Sequence, residues 1–195
     1  EVEDTFAGFL QDLRNGTAQK IYRSPAKPGV NRTPAPRYDL IHIHDYASMA
    51  LQFSRGCPFD CEFCDITKLF GRVPRTKAAE QVLAEFDVLY NLGWRGRMFL
   101  VDDNFIGNKK DAMRVLPEIA KWQKARNYPF SLYTEASVNL AGLDDLMDAM
   151  VEAGFGMTFL GIETPNREAL LKTKKAQNTH RHDDNYLLNA VRKIQ

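Results

Sequence analysis

The chain has 195 residues, 44% of them hydrophobic and 26% charged, enough to bury one sizeable core in an ordinary globular domain. Lys and Arg number 26 against 25 Asp and Glu, and the formal charge of +1 lacks the basic excess that phosphate-backbone binding demands, which argues against nucleic acid as a partner. No apolar run approaches the roughly 20 residues that span a bilayer, and the opening Glu-Val-Glu-Asp has neither the basic start nor the apolar stretch of a signal peptide, so a cytoplasmic location is expected.

Residues 4–20 carry an amphipathic helical pattern through Phe6, Phe9, Leu10 and Leu13. The prolines of Ser24-Pro25-Ala26-Lys27-Pro28-Gly29 and Thr33-Pro34-Ala35-Pro36 then hold their neighbours extended, which reads as a linker. Beyond it, apolar strand-like runs alternate with segments of helical period. The strand runs are Ser48 to Ser54, Arg97 to Val101, Phe130 to Thr134 and Thr158 to Ile162.

The helices between them carry their own punctuation. Thr76 is placed to cap a helix whose inner face is Val82, Leu83, Phe86, Leu89 and Tyr90, with Gly93 as its left-handed stop. Asn108 is placed to cap the next, with Met113, Leu116, Ile119 and Ala120 inward and a kink expected at Pro117. Leu143, Leu146, Met147 and Met150 form the stripe of a third helix ended by Gly154. Thr164-Pro165 is expected to open a fourth with proline in its first turn, and Leu187, Val191 and Ile194 face a last helix. Trp94 and Trp122 read as packing residues.

Strands alternating with such helices imply an α/β fold with a parallel sheet, and runs that are apolar on nearly every residue imply burial of both faces. Four units fit either an open doubly wound sheet or an incomplete (β/α) barrel. The chain starts without methionine and stops on Gln195 in a helical pattern, which favours the incomplete barrel and reads as a fragment.

All three cysteines, Cys57, Cys61 and Cys64, fall within eight residues directly after the first strand, where parallel α/β folds place their chemistry. An odd number so clustered is not a disulfide framework. Three thiolates on one loop can each ligate one iron of a cubane and leave the fourth iron open. A structural zinc ion would want a fourth ligand, and no histidine lies within twelve residues, since His42, His44, His180 and His182 are all remote in sequence. Unligated thiols are the third reading.

The spacing Cys-x3-Cys-x2-Cys, with Phe63 before the last cysteine, resembles the signature of the radical SAM superfamily, whose core is a partial (β/α)6 barrel. The stretches Ser54 to Ile66, Val101 to Asn108 and Tyr133-Thr134-Glu135-Ala136-Ser137 are similar to radical SAM proteins with a cobalamin-binding domain, the group that includes hopanoid C-2 methylases. The resemblance covers 37–195, the radical SAM core without its last strands; 1–36 resembles the last helix and linker of the cobalamin-binding domain. The cobalamin domain proper, with its Asp-x-His-x-x-Gly motif, is not within the chain.

The resemblance implies a 4Fe-4S cluster on Cys57, Cys61 and Cys64, S-adenosylmethionine (SAM) chelated to its open iron, and reductive cleavage of SAM to a 5'-deoxyadenosyl radical. It further implies cobalamin-dependent methylation of an sp3 carbon in a small, isoprenoid-like substrate, with flavodoxin or ferredoxin as electron donor. Asp102, Asp103 and Asn104 close the second strand and are candidates to contact the methionyl ammonium; the rival reading is that they order the turn. Glu135 closes the third strand, where a carboxylate is costly unless it binds a ligand or a structural partner. Glu163, in Gly161-Ile162-Glu163-Thr164-Pro165, is expected at the ribose, the rival being a helix cap. Phe63 is expected over the cluster or adenine, or else in the core. Lys172-Thr173-Lys174-Lys175 reads as a solvated helix face, and Arg72 and Arg75 read as surface ion pairs. Radical chemistry without methyl transfer, and a zinc or iron-sulfur interaction module, are the competing functions.

Overall fold

A computed structural model describes residues 1–180, 183 and 185–195; His182 lies outside the described residues. The helices are α1 (Val2–Arg14), α2 (Ile66–Leu69), α3 (Ala79–Asn91), α4 (Lys109–Lys124), α5 (Asp144–Glu152), α6 (Arg167–Lys172) and α7 (Tyr186–Ile194). The strands are β1 (Ser48–Leu51), β2 (Ser54–Arg55), β3 (Arg75–Thr76), β4 (Gly96–Leu100), β5 (Phe130–Ala136) and β6 (Phe155–Leu160). Among the described residues no helix is long and apolar enough to cross a membrane.

β1, β4, β5 and β6 form one parallel sheet in that order, and β2 pairs with β3 in a separate antiparallel ladder. Strands added always on the same side have no point where the order reverses, whereas a doubly wound sheet needs one. The helices agree: α3 packs on α4 and α4 on α5. Their buried Val82, Phe86, Leu89, Leu116, Ile119, Leu146 and Met150 share one core with Met49, Leu51, Met98, Leu100, Phe130 and Leu132 of the sheet. Helices on one face and sequential parallel strands make this the wall of a partial (β/α) barrel.

The expectation of a sheet buried on both faces is corrected. β5 alternates strictly, with Phe130, Leu132, Thr134 and Ala136 buried while Ser131 and Glu135 are exposed. Ala50, Arg97 and Phe159 are exposed on the same side. The strands look continuously apolar because the open face carries its own aromatic group: Phe99 and Tyr133 stack at 4.8 Å, and Phe159 meets each edge-on. This is the side that faces inward in a barrel.

Local signals fare unevenly. Gly93 and Gly154 take the left-handed backbone at φ +92° and +93° after α3 and α5. Asn108 caps α4 by accepting from the Asp111 N–H at 3.1 Å, and Asn108→Ala is expected to cost about 1 kcal/mol, read from the urea midpoint. Thr76 is not a cap: it lies in β3, its hydroxyl bonds Asp111, and α3 starts after Ala78. Met113 is exposed instead of inward, because Ala112, Val115, Leu116 and Ile119 fill the stripe. α4 continues through Pro117. Pro165 precedes α6 without opening it, since Asn166 is the cap and accepts from the Ala169 N–H at 3.0 Å. α1 buries none of its residues, and α7 packs Leu187, Ala190 and Ile194 against Val138 and Ala141, with Val191, expected on that face, outside the cluster.

Candidate active site

The cysteine loop is a closed excursion from the C-terminal end of β1. β2 and β3 tie its two ends by pairing Ser54 with Thr76 and Arg55 with Arg75. Gly56 turns the chain into the loop at φ +105°, a conformation L side chains resist. A Cβ there would stand 2.9 Å from the Gly71 carbonyl, to which the Cys57 N–H is hydrogen-bonded at 3.2 Å. Gly107, from the stretch after β4, supports the loop from below: its Cβ would meet Pro58 at 3.1 Å and Pro74 at 3.2 Å. The guanidinium of Arg72 donates to the Pro58 carbonyl at 2.9 Å, while Arg75 pairs with Glu1, so neither arginine faces the cleft.

The ends of the neighbouring strands anchor this loop. Asp102 is buried, and its two carboxylate oxygens accept from the Phe53 N–H and the Ser54 hydroxyl, each at 2.8 Å. It thus orders the chain leading into the loop, and does not line the cleft. Asp103 accepts from the Gly56 N–H at 2.8 Å. Asn104 bridges outward from the same end, donating to the Ser137 hydroxyl at 3.1 Å and lying 3.9 Å from Cys57 Sγ. Burial pushes the Cys57 thiol and the Asp103 carboxyl up from their ordinary values, and it raises Asp102 to about 7.

A cleft of about 390 Å³ opens between the loop and the strand ends. It gathers Cys57, Cys61, Cys64, Phe63, Asp103, Asn104, Glu135 and Glu163, eight of the nine residues expected from the sequence, and omits Asp102. Phe63 is 56% exposed, so it is no core residue, and its ring lies 5.4 Å from the Lys175 ammonium. Glu135 stands exposed on the open face at the end of β5. Glu163 sits in the left-handed region at φ +65° and is ion-paired with Lys175.

Lys175 corrects the reading of the basic run. α6 ends at Lys172, and Lys174 at φ +58° turns the chain so that Lys175 is buried against Glu163. Ser137, Phe159 and Gln177 also line the cleft and were not legible as site residues. A single polar residue in a loop gives no periodic signal. Only the position of Ser137 two residues after Glu135, just past a strand end, pointed that way.

Three half-buried thiols on one anchored loop are a donor set that suits an iron-sulfur cubane, which offers each thiolate a different iron.

A parallel barrel wall with a triple-cysteine loop over its strand ends defines a class, and the match is direct. Residues 51–195 match the radical SAM superfamily, and the chain belongs to it. Among curated proteins it is 53% identical over 194 residues to an uncharacterized methyltransferase of Synechocystis sp., covering 100% of this chain and 35% of that protein. It is 38% identical over 176 residues to the hopanoid C-2 methylase of Rhodopseudomonas palustris, covering 90% and 33%. The chain therefore spans about a third of the length of these relatives. Among solved structures, the cobalamin-dependent SAM radical enzyme OxsB with aqua-cobalamin bound superposes over 100% of this chain and 31% of its own, with a TM-score of 0.78 at 18% identity. At that identity the likeness speaks for the fold.

Proposed function

We propose that this chain is the catalytic core of a radical SAM methyltransferase, with a 4Fe-4S cluster held by Cys57, Cys61 and Cys64. The observation that carries the reading is the convergence of these thiols with Glu135, Glu163 and Lys175 on one cleft. When bound and reduced, the cluster supplies the electron that breaks the bond from sulfur to C5' of SAM, giving methionine and a 5'-deoxyadenosyl radical.

The chain's own residues position and shield. Asp103 and Asn104 hold the loop and are near enough to the cleft to accept from the methionyl ammonium. Lys175 is the complementary cation for the methionyl carboxylate, exchanging its bond to Glu163 for one to the ligand. Glu163, thereby freed, and Glu135 accept from the ribose hydroxyls. Phe63 and Phe159 exclude water from the reacting carbon.

Methyl transfer to an sp3 carbon is inferred from the names of the relatives, and an isoprenoid-like small molecule from the hopanoid methylase among them. Cobalamin is the methyl carrier this reading implies, and flavodoxin or ferredoxin the electron donor. Residues 1–36 are assigned to the last helix and linker of a cobalamin-binding-like domain; the exposed Val2, Phe6 and Leu13 of α1 are the face such a domain would cover. No residue of this chain is assigned to cobalamin itself.

The deciding experiment is anaerobic iron-sulfur reconstitution followed by EPR of the dithionite-reduced protein with and without SAM. A 4Fe-4S signal that shifts on adding SAM is expected. Stoichiometric zinc with no iron uptake in a folded sample would overturn the reading. A charge-assisted hydrogen bond contributes roughly 1.5–3 kcal/mol, so Lys175→Met is expected to weaken SAM binding about tenfold or more, measured by equilibrium dialysis on the reconstituted protein.

A further inference from the structure

The segment 173–178 straps the cysteine loop to the end of β6. The Thr173 carbonyl accepts from the Glu62 N–H at 2.9 Å, inside the cysteine loop. Lys175 pairs with Glu163. Asn178, almost fully buried, donates to the carbonyls of Gly161 at 2.7 Å and Ile162 at 3.1 Å. Between these attachments the half-buried Gln177 lines the cleft and points its amide at the loop: Nε2 lies 3.4 Å from Cys61 Sγ.

Ligated to iron, that sulfur would be a thiolate in place of a thiol. A thiolate is the stronger acceptor. We propose that Gln177 is a positioning residue that donates to the Cys61 sulfur and raises the reduction potential of the cluster held there, with the 173–178 strap fixing its amide. The inference rests on the reading of the cysteines as cluster ligands.

The physics is that of an outer partner tuning a metal site. Reduction adds one negative charge, spread over the irons and the ligand sulfurs. An N–H with its positive end on a sulfur stabilises the reduced cluster more than the oxidised one, and the potential rises. Partial burial strengthens the effect because little water competes. Asn104 makes a longer approach of the same kind to Cys57, at 3.9 Å. Gln177 is the closer donor, and the strap gives it a defined position that a free surface glutamine would lack.

The test compares wild type, Gln177→Met and Gln177→Lys, each reconstituted in the whole protein. Methionine keeps the length of glutamine without a donor, and lysine restores a donor with a positive charge. Iron per chain and EPR line shape establish that the cluster is present, and an EPR-monitored redox titration gives its midpoint. Expected are wild-type iron content in all three, a midpoint shifted negative in Gln177→Met, and one at or above wild type in Gln177→Lys. A normal cluster with an unchanged midpoint in Gln177→Met overturns this inference alone, as does loss of iron in that variant, which would make Gln177 a structural prop. A wild-type protein that takes up no cluster overturns the cysteine reading beneath it.

Discussion

Cys57→Ala, Cys61→Ala and Cys64→Ala will each leave the chain folded and reduce reductive cleavage of SAM to background. The three thiols are half-buried on a loop outside the helix-covered core, which is built from residues such as Phe86, Met98 and Leu116. A point substitution outside the core typically costs about 1 kcal/mol, too little to unfold the domain. Function responds on another scale. Loss of an outer partner of a metal ligand typically costs roughly 10–100-fold in affinity or activity, and on the proposed ligation the loss of one of three direct ligands must cost more, because it removes a bond to iron itself. The readouts are iron per chain, far-UV circular dichroism and 5'-deoxyadenosine formed under dithionite. A variant that stays folded, loses one cysteine and still forms 5'-deoxyadenosine at the wild-type rate would remove that residue from the ligand set.

How far the site was legible in the sequence follows from the range over which each signal acts. The cysteine spacing and its place after an apolar run are local, so Cys57, Cys61 and Cys64 could be read directly. Strand ends are nearly as local, and Asp103, Asn104, Glu135 and Glu163 all reach the cleft. Asp102 shows the limit. Asp102 and Asp103 both accept from the segment that enters the loop, yet only Asp103 reaches the cleft, and only the position of Phe53 and Ser54 decides that Asp102 turns inward. Lys175 was hidden for a different reason: a lysine in solvent and a lysine buried against Glu163 have the same sequence context. In the fold, the alternation and the glycine stops gave the units, but the open face of the sheet was masked. Phe99, Tyr133 and Phe159 cover one another there, and an aromatic stack on a barrel's inner side has the same composition as a second core.

Asp102 also supplies the clearest dependence on pH. Its carboxyl is raised from 3.8 to about 7, by burial first and to a smaller extent by the charge of Asp103, against the pull of the bonds from Ser54 and Phe53. Between those two values the folded chain holds a proton that the unfolded chain has released. Stability contributed by this group is therefore complete below about pH 4, falls as pH rises through the window, and levels off above about 7. Three pH units correspond to at most about 4 kcal/mol. Asp102→Asn should remove this slope while keeping the anchor, since its carbonyl still accepts from the Phe53 N–H and its amide donates to the Ser54 hydroxyl. The stability difference between Asp102→Asn and wild type, from urea midpoints, is thus expected to move in favour of the variant from pH 5 to pH 8. Asp102→Ala should instead lose roughly 1–3 kcal/mol at pH 5 by leaving the Phe53 N–H buried without a partner. A wild type that gains on Asp102→Asn as pH rises would mean that the bonds from Phe53 and Ser54 outweigh burial, and that the segment entering the cysteine loop is held by a carboxylate and not by a neutral acid.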